Sequence, residues 1–119
     1  MINNTFKIDP NAAGEKKPSR LAPKASFTTD ATDETTMSFY AAEDGSVSSG
    51  VWECPPCKFD VPSYPVNEMM TIVSGALTIT NADGVAETFG PGEVVFAVKG
   101  SKMTWEITER LVKYYMTSS

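Results

Sequence analysis

The amino-acid sequence predicts an all-β fold, in which short antiparallel strands close into a jelly-roll barrel or stack as two sheets. From Met37 onward, short apolar runs alternate with turn signals, and no longer stretch repeats its apolar positions with helical spacing. About nine short strands within about 80 residues must close on themselves or pack face to face to bury their apolar sides.

The apolar runs predict the strands in order. They are residues 37–42, 51–54, 58–61, 68–74, 76–81, 86–89, 93–98, 102–108 and 111–116. Glycine and proline mark the predicted turns between them. Asp83 and Gly84 predict a hairpin tip, Gly90 to Gly92 predict a tight reversal, and Gly75 separates two further runs.

The N-terminal region lacks the pattern of apolar runs and turns that the rest of the chain shows. Residues 1–25 have neither a helical nor an alternating apolar pattern, so we expect an extended arm, with the domain covering residues 26–119. Leu21 and Phe27 are the apolar residues placed to anchor this arm. Residues 28–36 are polar and acidic and predict a connector or an irregular first strand.

Composition and charge exclude several classes of function. At 119 residues, 41% hydrophobic and 21% charged, the chain has the size and composition of one globular domain. Residues 1–25 carry a balance of +3 and the remainder −8, and so acidic a domain repels phosphate backbones, which argues against nucleic acid as a partner. No apolar run is long enough to span a membrane, and the N-terminus lacks a secretory pattern, so we expect a cytoplasmic protein.

Several segments, taken in order, resemble a known family. They are residues 50–54, 64–68, 72–80 with Asp83 and Gly84, 89–96 with Gly100, 104–107 and 113–115. Their order and spacing resemble a cupin domain, and among cupins they look most like small single-domain proteins related to the cupin domain of (S)-ureidoglycine aminohydrolase. The resemblance covers about residues 46–116 and implies an antiparallel cupin jelly-roll barrel.

The histidines that bind metal in most cupins have no counterparts, because the chain contains no histidine. Glu68 and Gly75 keep the cupin spacing, which places the first two histidine positions at Val61 and Ser63, or at Pro62 and Tyr64. The third falls at Met103. The resemblance therefore implies the barrel without its usual metal centre, and the manganese-dependent aminohydrolase activity should not be transferred.

Glu68 is the candidate functional carboxylate. Alternation along a strand places Glu68, Met70, Ile72 and Ser74 on one face, directed into the barrel if Glu68 occupies the cupin position. The cupin positions also direct Met103, Trp105 and Ile107 inward. We expect a pocket formed by Tyr64, Ser63, Met70, Met103 and Trp105 around Glu68, which acts either as a functional acid or base or as a structural group satisfied by Tyr64 or a backbone N–H.

Cys54 and Cys57 have the spacing of a redox dithiol or of half a zinc site. Without further cysteine or histidine the chain cannot complete a zinc tetrahedron, and a strand-like context lacks the helix N-terminus that activates such thiols. Whether the two form a disulfide is left open. We expect no metal and no cofactor.

The sequence thus predicts a cupin of unassigned function that binds a small organic ligand in its barrel. A metal-independent enzyme with Glu68 as acid or base, of aminohydrolase, lyase or isomerase type, is the alternative. A scaffold whose barrel is filled by its own side chains is a third reading. We expect a homodimer, because small cupins often pair through strands or exchanged arms and an exposed sheet edge needs covering.

Overall fold

The computed structural model describes residues 5–11 and 16–119, and these form an almost entirely antiparallel β structure. The only helical element in the described part is a three-residue 3₁₀ turn, Lys24–Ser26. The strands are β1 (Lys17–Pro18), β2 (Thr35–Ala41), β3 (Val47–Cys54), β4 (Cys57–Val61), β5 (Asn67–Asn81), β6 (Ala86–Phe89), β7 (Val94–Ala97) and β8 (Met103–Ser118). The predicted all-β jelly roll is confirmed.

The two longest strands organise the barrel. The strand order is β1-β2-β3-β8-β5-β6, with β4 also paired to β8 and β7 also paired to β5. One half of β8 pairs with β3 and the other half with β4, while β5 runs beside β8 over almost its whole length. Each long strand therefore pairs with three others, and together they join all eight strands into one sheet.

Gly75 bends a strand instead of ending it, so the predicted division between residues 68–74 and 76–81 is wrong. Its φ is +91°, and an added Cβ would lie 2.1 Å from the carbonyl oxygen of Arg110 on β8. The pairing register shifts on both sides of this glycine, as in a β-bulge. The runs 102–108 and 111–116 are likewise one strand, β8, whose register against β5 shifts opposite Gly75.

The barrel interior is apolar, and alternation places its residues as expected up to the bulge. Met70 and Ile72 on β5, and Met103, Trp105 and Ile107 on β8, are all buried. Ser74 is exposed, which corrects its expected inward direction, because the register shift after Ile72 moves it off the interior face. The predicted hairpin at Asp83 and Gly84 joins β5 to β6, with the Gly84 N–H donating to the carbonyl of Asn81 at 2.9 Å.

The segment before β2 runs along the barrel. Strand β1 pairs with β2, and Ala22 is buried in the core cluster, with Phe27 packed beside that cluster. Leu21 is 75% exposed, so it is not the anchor that the sequence indicated; Ala22 is directed inward in its place. The predicted arm over residues 1–25 lies partly outside the described residues. No helix in the described ranges is long and apolar enough to cross a membrane.

Candidate functional site

A cavity of about 480 Å³ lies on the interior face of the barrel. The inward residues of β2, β3 and the C-terminal half of β8 form one side of it. Strand β4, the β4–β5 loop and Trp105 contribute most of the rest. The lining residues are Ser19, Leu21, Thr36, Ser48, Trp52, Phe59, Val61, Tyr64, Pro65, Val66, Glu68, Trp105, Lys113, Tyr115 and Thr117.

A buried ion pair is the polar centre of this cavity. The Lys113 Nζ lies 2.6 Å from Glu68 Oε2, and the Tyr64 hydroxyl donates to Glu68 Oε1 at 2.7 Å. Glu68 is 7% exposed and Lys113 5%. Both carboxylate oxygens therefore have a strong donor, which is the condition under which a buried charge is tolerated.

Aromatic rings surround the ammonium group of Lys113. Its Nζ lies 4.8 Å from the ring centroids of both Trp52 and Trp105, within the range of a cation–π interaction. Trp105 in turn stacks on Tyr64, with centroids 6.1 Å apart, and on Phe59 at 6.2 Å. The lysine is held by one carboxylate and two aromatic faces, so its position is fixed by three separate strands.

Tyr64 keeps its proton at this site. Burial raises the pKa of its phenol far above the ordinary range, and the negative charge of Glu68 acts in the same direction. The backbone of Tyr64 is fixed by two hydrogen bonds to the loop before β8, one to Ser101 and one from Gly100, each 2.8 Å long. Tyr64 is therefore a positioned hydrogen-bond donor.

A second buried carboxylate, Glu34, lies behind Trp52. It is 3% exposed and accepts hydrogen bonds from the N–H groups of Leu21 and Ala22, from Trp52 Nε1 and from the Ser19 hydroxyl. Through these contacts Glu34 fixes residues 19–22 beside the cavity. Because it also holds the Trp52 indole, it orients one of the two rings that face Lys113.

The predicted site residues do not all meet at the cavity. Glu68, Tyr64 and Trp105 line it. Met70 is buried with its Sδ 3.7 Å from Lys113 Nζ, and the Met103 Sδ accepts a hydrogen bond from Trp105 Nε1 at 3.3 Å, so both support lining residues without lining the cavity themselves. Ser63 is exposed and lies outside the cavity, because the chain bends between β4 and β5 and turns Tyr64 inward instead.

Sequence reasoning missed Lys113, Glu34 and the hydroxyl side chains of the cavity. Lys113 carried one signal, since it is the single charged residue in the apolar run 111–116 and shares its strand face with Leu111 and Tyr115. Glu34 carried none, because it lies in a polar and acidic stretch where a carboxylate is typically solvated.

The donor set does not fit the metal that a cupin fold implies. The described residues contain no group of three or more His, Cys, Asp or Glu side chains arranged to hold a metal ion. Zinc or manganese require several nitrogen, sulfur or oxygen ligands, whereas the Glu68 carboxylate is shared between an ammonium and a phenol. The positive charge beside the cupin glutamate is supplied by Lys113.

Cys54 and Cys57 are both buried free thiols, with their Sγ atoms 3.8 Å apart. The hydrogen bond to Cys57, together with burial, raises the pKa of the Cys54 thiol far above its usual value. A buried thiol of this kind is a poor nucleophile. The pair lies where β3 turns into β4 and contributes to the core.

The fold described above defines a small cupin. Residues 41–115 match the model of the EutQ-like cupin domain (Cupin_3), and the chain belongs to that family. No curated protein sequence matches the chain.

Several solved structures share this fold. The EutQ protein of Clostridium difficile is 24% identical over 71% of this chain and 67% of its own, with a TM-score of 0.61. A Pseudomonas syringae pv. tomato protein of unknown function from the DUF861 family is 20% identical over 93% of this chain, with a TM-score of 0.80; the chain spans 46% of that protein. A DUF861 family protein from Thermotoga maritima is 31% identical over 55% of this chain and 73% of its own, with a TM-score of 0.51.

Proposed function

We propose that this cupin binds a small organic ligand inside its barrel, at the cavity that contains Glu68, Lys113 and Tyr64. The observation that carries the proposal is the cavity itself. Its volume of about 480 Å³ lies within the range of small-molecule sites, and its walls are largely apolar and aromatic with few polar groups. The cavity opens to solvent beside the exposed Leu21, which gives a ligand a route of entry.

The polar groups are arranged to orient a ligand. Lys113 has three N–H donors, of which one is directed at Glu68 and one at Met70 Sδ. The oxygen of Tyr64 retains acceptor capacity while its proton is donated to Glu68. The stacked rings of Tyr64, Trp105 and Phe59 offer a rigid apolar surface. Rigid walls of this kind bind a ligand with little loss of side-chain entropy.

A ligand screen by thermal shift tests the proposal directly. Small metabolites that bind the cavity raise the melting temperature of the wild-type protein, because binding to the folded state alone stabilises it. The variant Val66→Trp, which fills the cavity from the β4–β5 loop, should lose every such shift. Val85→Trp, at the exposed β5–β6 hairpin, is the matched control and should keep them. Shifts that persist in Val66→Trp would place the binding elsewhere.

A metal-independent enzyme of aminohydrolase, lyase or isomerase type is the alternative. It is favoured by one observation: Tyr64, Glu68 and Lys113 form a continuous hydrogen-bonded chain of titratable groups at the cavity wall. Such a chain can carry a proton to or from a bound substrate, with Glu68 as the acid or base. NMR spectra of each stabilising ligand, recorded over time with protein, separate the two functions: a binding module leaves the ligand unchanged.

The absence of a cofactor is part of the proposal. Elemental analysis of the purified protein should find no metal in stoichiometric amount, and a stoichiometric metal would contradict it. The homodimer expected from the sequence stays a prediction, which sedimentation velocity of the wild-type protein tests.

A further inference from the structure

The cavity has two chemically different sides. On β2, β3 and β8, the inward positions carry four hydroxyl groups: Thr36, Ser48, Tyr115 and Thr117. They are neighbours in the sheet. Ser48 on β3 pairs directly with Thr117 on β8. Tyr115 pairs with Gly50, and Thr36 pairs with Trp52, two residues further along β3. We call these four the hydroxyl wall. The other side, formed by Phe59, Val61, Tyr64 and Val66, is apolar apart from the Tyr64 hydroxyl.

Gly50 makes room for this wall. An added Cβ at Gly50 would lie 2.2 Å from the Met37 carbonyl oxygen and 2.8 Å from the Tyr115 hydroxyl. The absence of a side chain at Gly50 is what allows the Tyr115 hydroxyl to lie over β3, where it comes within 3.4 Å of Thr36 Oγ1. The phenol is thereby placed among the other hydroxyls.

The hydroxyl wall retains hydrogen-bonding capacity after its internal contacts are counted. Ser48 and Thr117 share one hydrogen bond of 2.6 Å, and Thr36 and Tyr115 share a longer one of 3.4 Å. Each hydroxyl has one donor and two acceptor positions, so each pair keeps a free hydroxyl hydrogen and several lone pairs. An apolar ligand that covered this wall would leave those groups unsatisfied, at a loss in affinity.

The cavity offers no unpaired charge. Among its described lining residues, the charged ones are Glu68 and Lys113, which neutralise each other at 2.6 Å. Glu34, behind Trp52, is already satisfied by four donors. A charged group buried in the cavity would therefore be desolvated without an ionic partner, which is strongly unfavourable.

We propose that the ligand is an uncharged cyclic polyol, such as a simple sugar or a cyclitol, lying between the hydroxyl wall and the aromatic side. This inference rests on the proposed function and specifies the chemical class of the ligand. The hydroxyls of such a ring exchange hydrogen bonds with Thr36, Ser48, Tyr115 and Thr117. Its C–H face packs on the ring of Tyr64 or Phe59, whose π faces carry partial negative charge.

The test is calorimetric titration and saturation-transfer NMR with three sets of probes. The neutral set is D-glucose, D-xylose and myo-inositol. The charged set adds an ionic group to these skeletons, as glucose 6-phosphate, D-glucuronate, myo-inositol 1-phosphate and, at pH 6, protonated D-glucosamine. The apolar set is indole and cyclohexane carboxamide. At least one neutral polyol should bind, and its charged counterparts should bind at least tenfold more weakly, since tenfold corresponds to about 1.4 kcal/mol.

Variants locate the binding. Tyr115→Phe and the double variant Ser48→Ala/Thr117→Val should each weaken polyol binding about fivefold or more, as expected for the loss of one or more neutral hydrogen bonds. The matched control is Thr78→Val, which breaks a hydroxyl pair of 2.8 Å between Thr78 and Thr88 that is exposed and outside the cavity. It should leave binding unchanged.

The outcomes separate this inference from the proposed function. If indole binds and no polyol does, or if a charged counterpart binds as tightly as the neutral ring, the polyol class is wrong while a ligand-binding barrel stands. If none of the three sets binds and the metabolite screen also produces no cavity-dependent shift, both proposals fail. Polyol binding that the hydroxyl-wall variants do not weaken would also overturn the inference.

Discussion

Two carboxylates are buried in this barrel, and they are stabilised in different ways. The ammonium of Lys113, at 2.6 Å, neutralises Glu68, and the phenol of Tyr64 donates a hydrogen bond to it at 2.7 Å. Glu34 is surrounded by neutral donors: two backbone N–H groups, an indole and a hydroxyl. One site is an ion pair, and the other is a hydrogen-bonded anion.

The partners of each carboxylate show what it does. Those of Glu34 come from residues 19–22 and from Trp52, so this carboxylate joins a stretch of irregular backbone to the barrel. The partners of Glu68 are side chains that line the cavity on β8 and the β4–β5 loop. Glu34 therefore fixes the backbone at Leu21 and Ala22 and also the Trp52 ring at the cavity, whereas Glu68 contacts side chains alone, those of Tyr64 and Lys113. The two sites differ in the kind of donor: Glu34 accepts hydrogen bonds from backbone as well as side chains, and Glu68 from side chains.

Removal of the cation should have the largest effect. Lys113→Met leaves the Glu68 carboxylate buried with only Tyr64 as partner, and the free energy of unfolding should fall by about 3–5 kcal/mol. Urea denaturation measures it. The double variant Lys113→Met/Glu68→Gln removes both charges and should recover most of the loss. A double variant no more stable than the single one would mean that the ion pair is not the source of the effect.

The control for this experiment is an ion pair at the surface. Arg110 contacts Asp33 at 2.5 Å, with both side chains substantially exposed. Asp33→Asn should change the free energy of unfolding by less than about 1 kcal/mol, the range typical of exposed pairs.

Glu34→Gln should have the next largest effect. Three donors contact Oε2 and one contacts Oε1, so an amide removes the acceptor of at least one donor and the negative charge from all four, and we expect a loss of about 2–3 kcal/mol. Because the donors include the N–H groups of Leu21 and Ala22, hydrogen exchange at these two amides should accelerate more than at amides of β5 or β8. Glu87→Gln on exposed β6 is the control. Equal acceleration throughout the barrel would contradict a local role for Glu34.

Tyr64→Phe should have a smaller effect, with a characteristic pH dependence. At neutral pH the loss of one hydrogen bond to Glu68 should lower stability by about 1–2 kcal/mol. The pKa of Tyr64 is raised in the folded protein above its ordinary value of 10.0, so the unfolded chain releases this proton first, and the wild type loses stability as the pH rises above 10. The variant lacks this loss.

The stability difference between wild type and Tyr64→Phe should therefore shrink above pH 10. Tyr40→Phe, at an exposed position on β2, controls for the other tyrosines. A difference that stays constant with pH would show that the phenol of Tyr64 titrates as freely in the folded protein as in the unfolded chain.

The sequence predicted the strands and half of the site for one physical reason. Alternation along β5 and β8 is a local signal, and it placed Glu68, Met70 and Trp105 on the inward face. Gly75 shows the limit of local sequence patterns, because a glycine within an apolar run can either end a strand or form a bulge, and the sequence looks the same in both cases. Only the approach of Arg110, 35 positions later in the chain, decides between them.

The roles of Lys113 and Glu34 in the site depend on contacts between distant segments of the chain, which local sequence patterns do not encode. The ion pair depends on the register of β8 against β5, which joins residues 45 positions apart, and no local pattern encodes that register. Glu34 is buried because the chain before it folds back and presents its own N–H groups. A charged residue alone in an apolar strand, as at Lys113, is the one sign that would have justified a search for a partner.

Trp52 connects the two carboxylates, and the smallest predicted effect concerns that connection. Its indole N–H donates to Glu34 at 2.8 Å, while its ring faces the ammonium of Lys113 at 4.8 Å. If Glu34 orients the ring for Lys113, the losses of stability caused by Glu34→Gln and Lys113→Met should not be additive.

A double-mutant cycle by urea denaturation should give a coupling energy of about 0.5–1 kcal/mol, since residues that share a packed partner couple in this range. The same cycle with Glu87→Gln in place of Glu34→Gln should be additive. Additivity in both cycles would mean that the two carboxylates are independent, and that Trp52 contacts both without transmitting the state of one to the other.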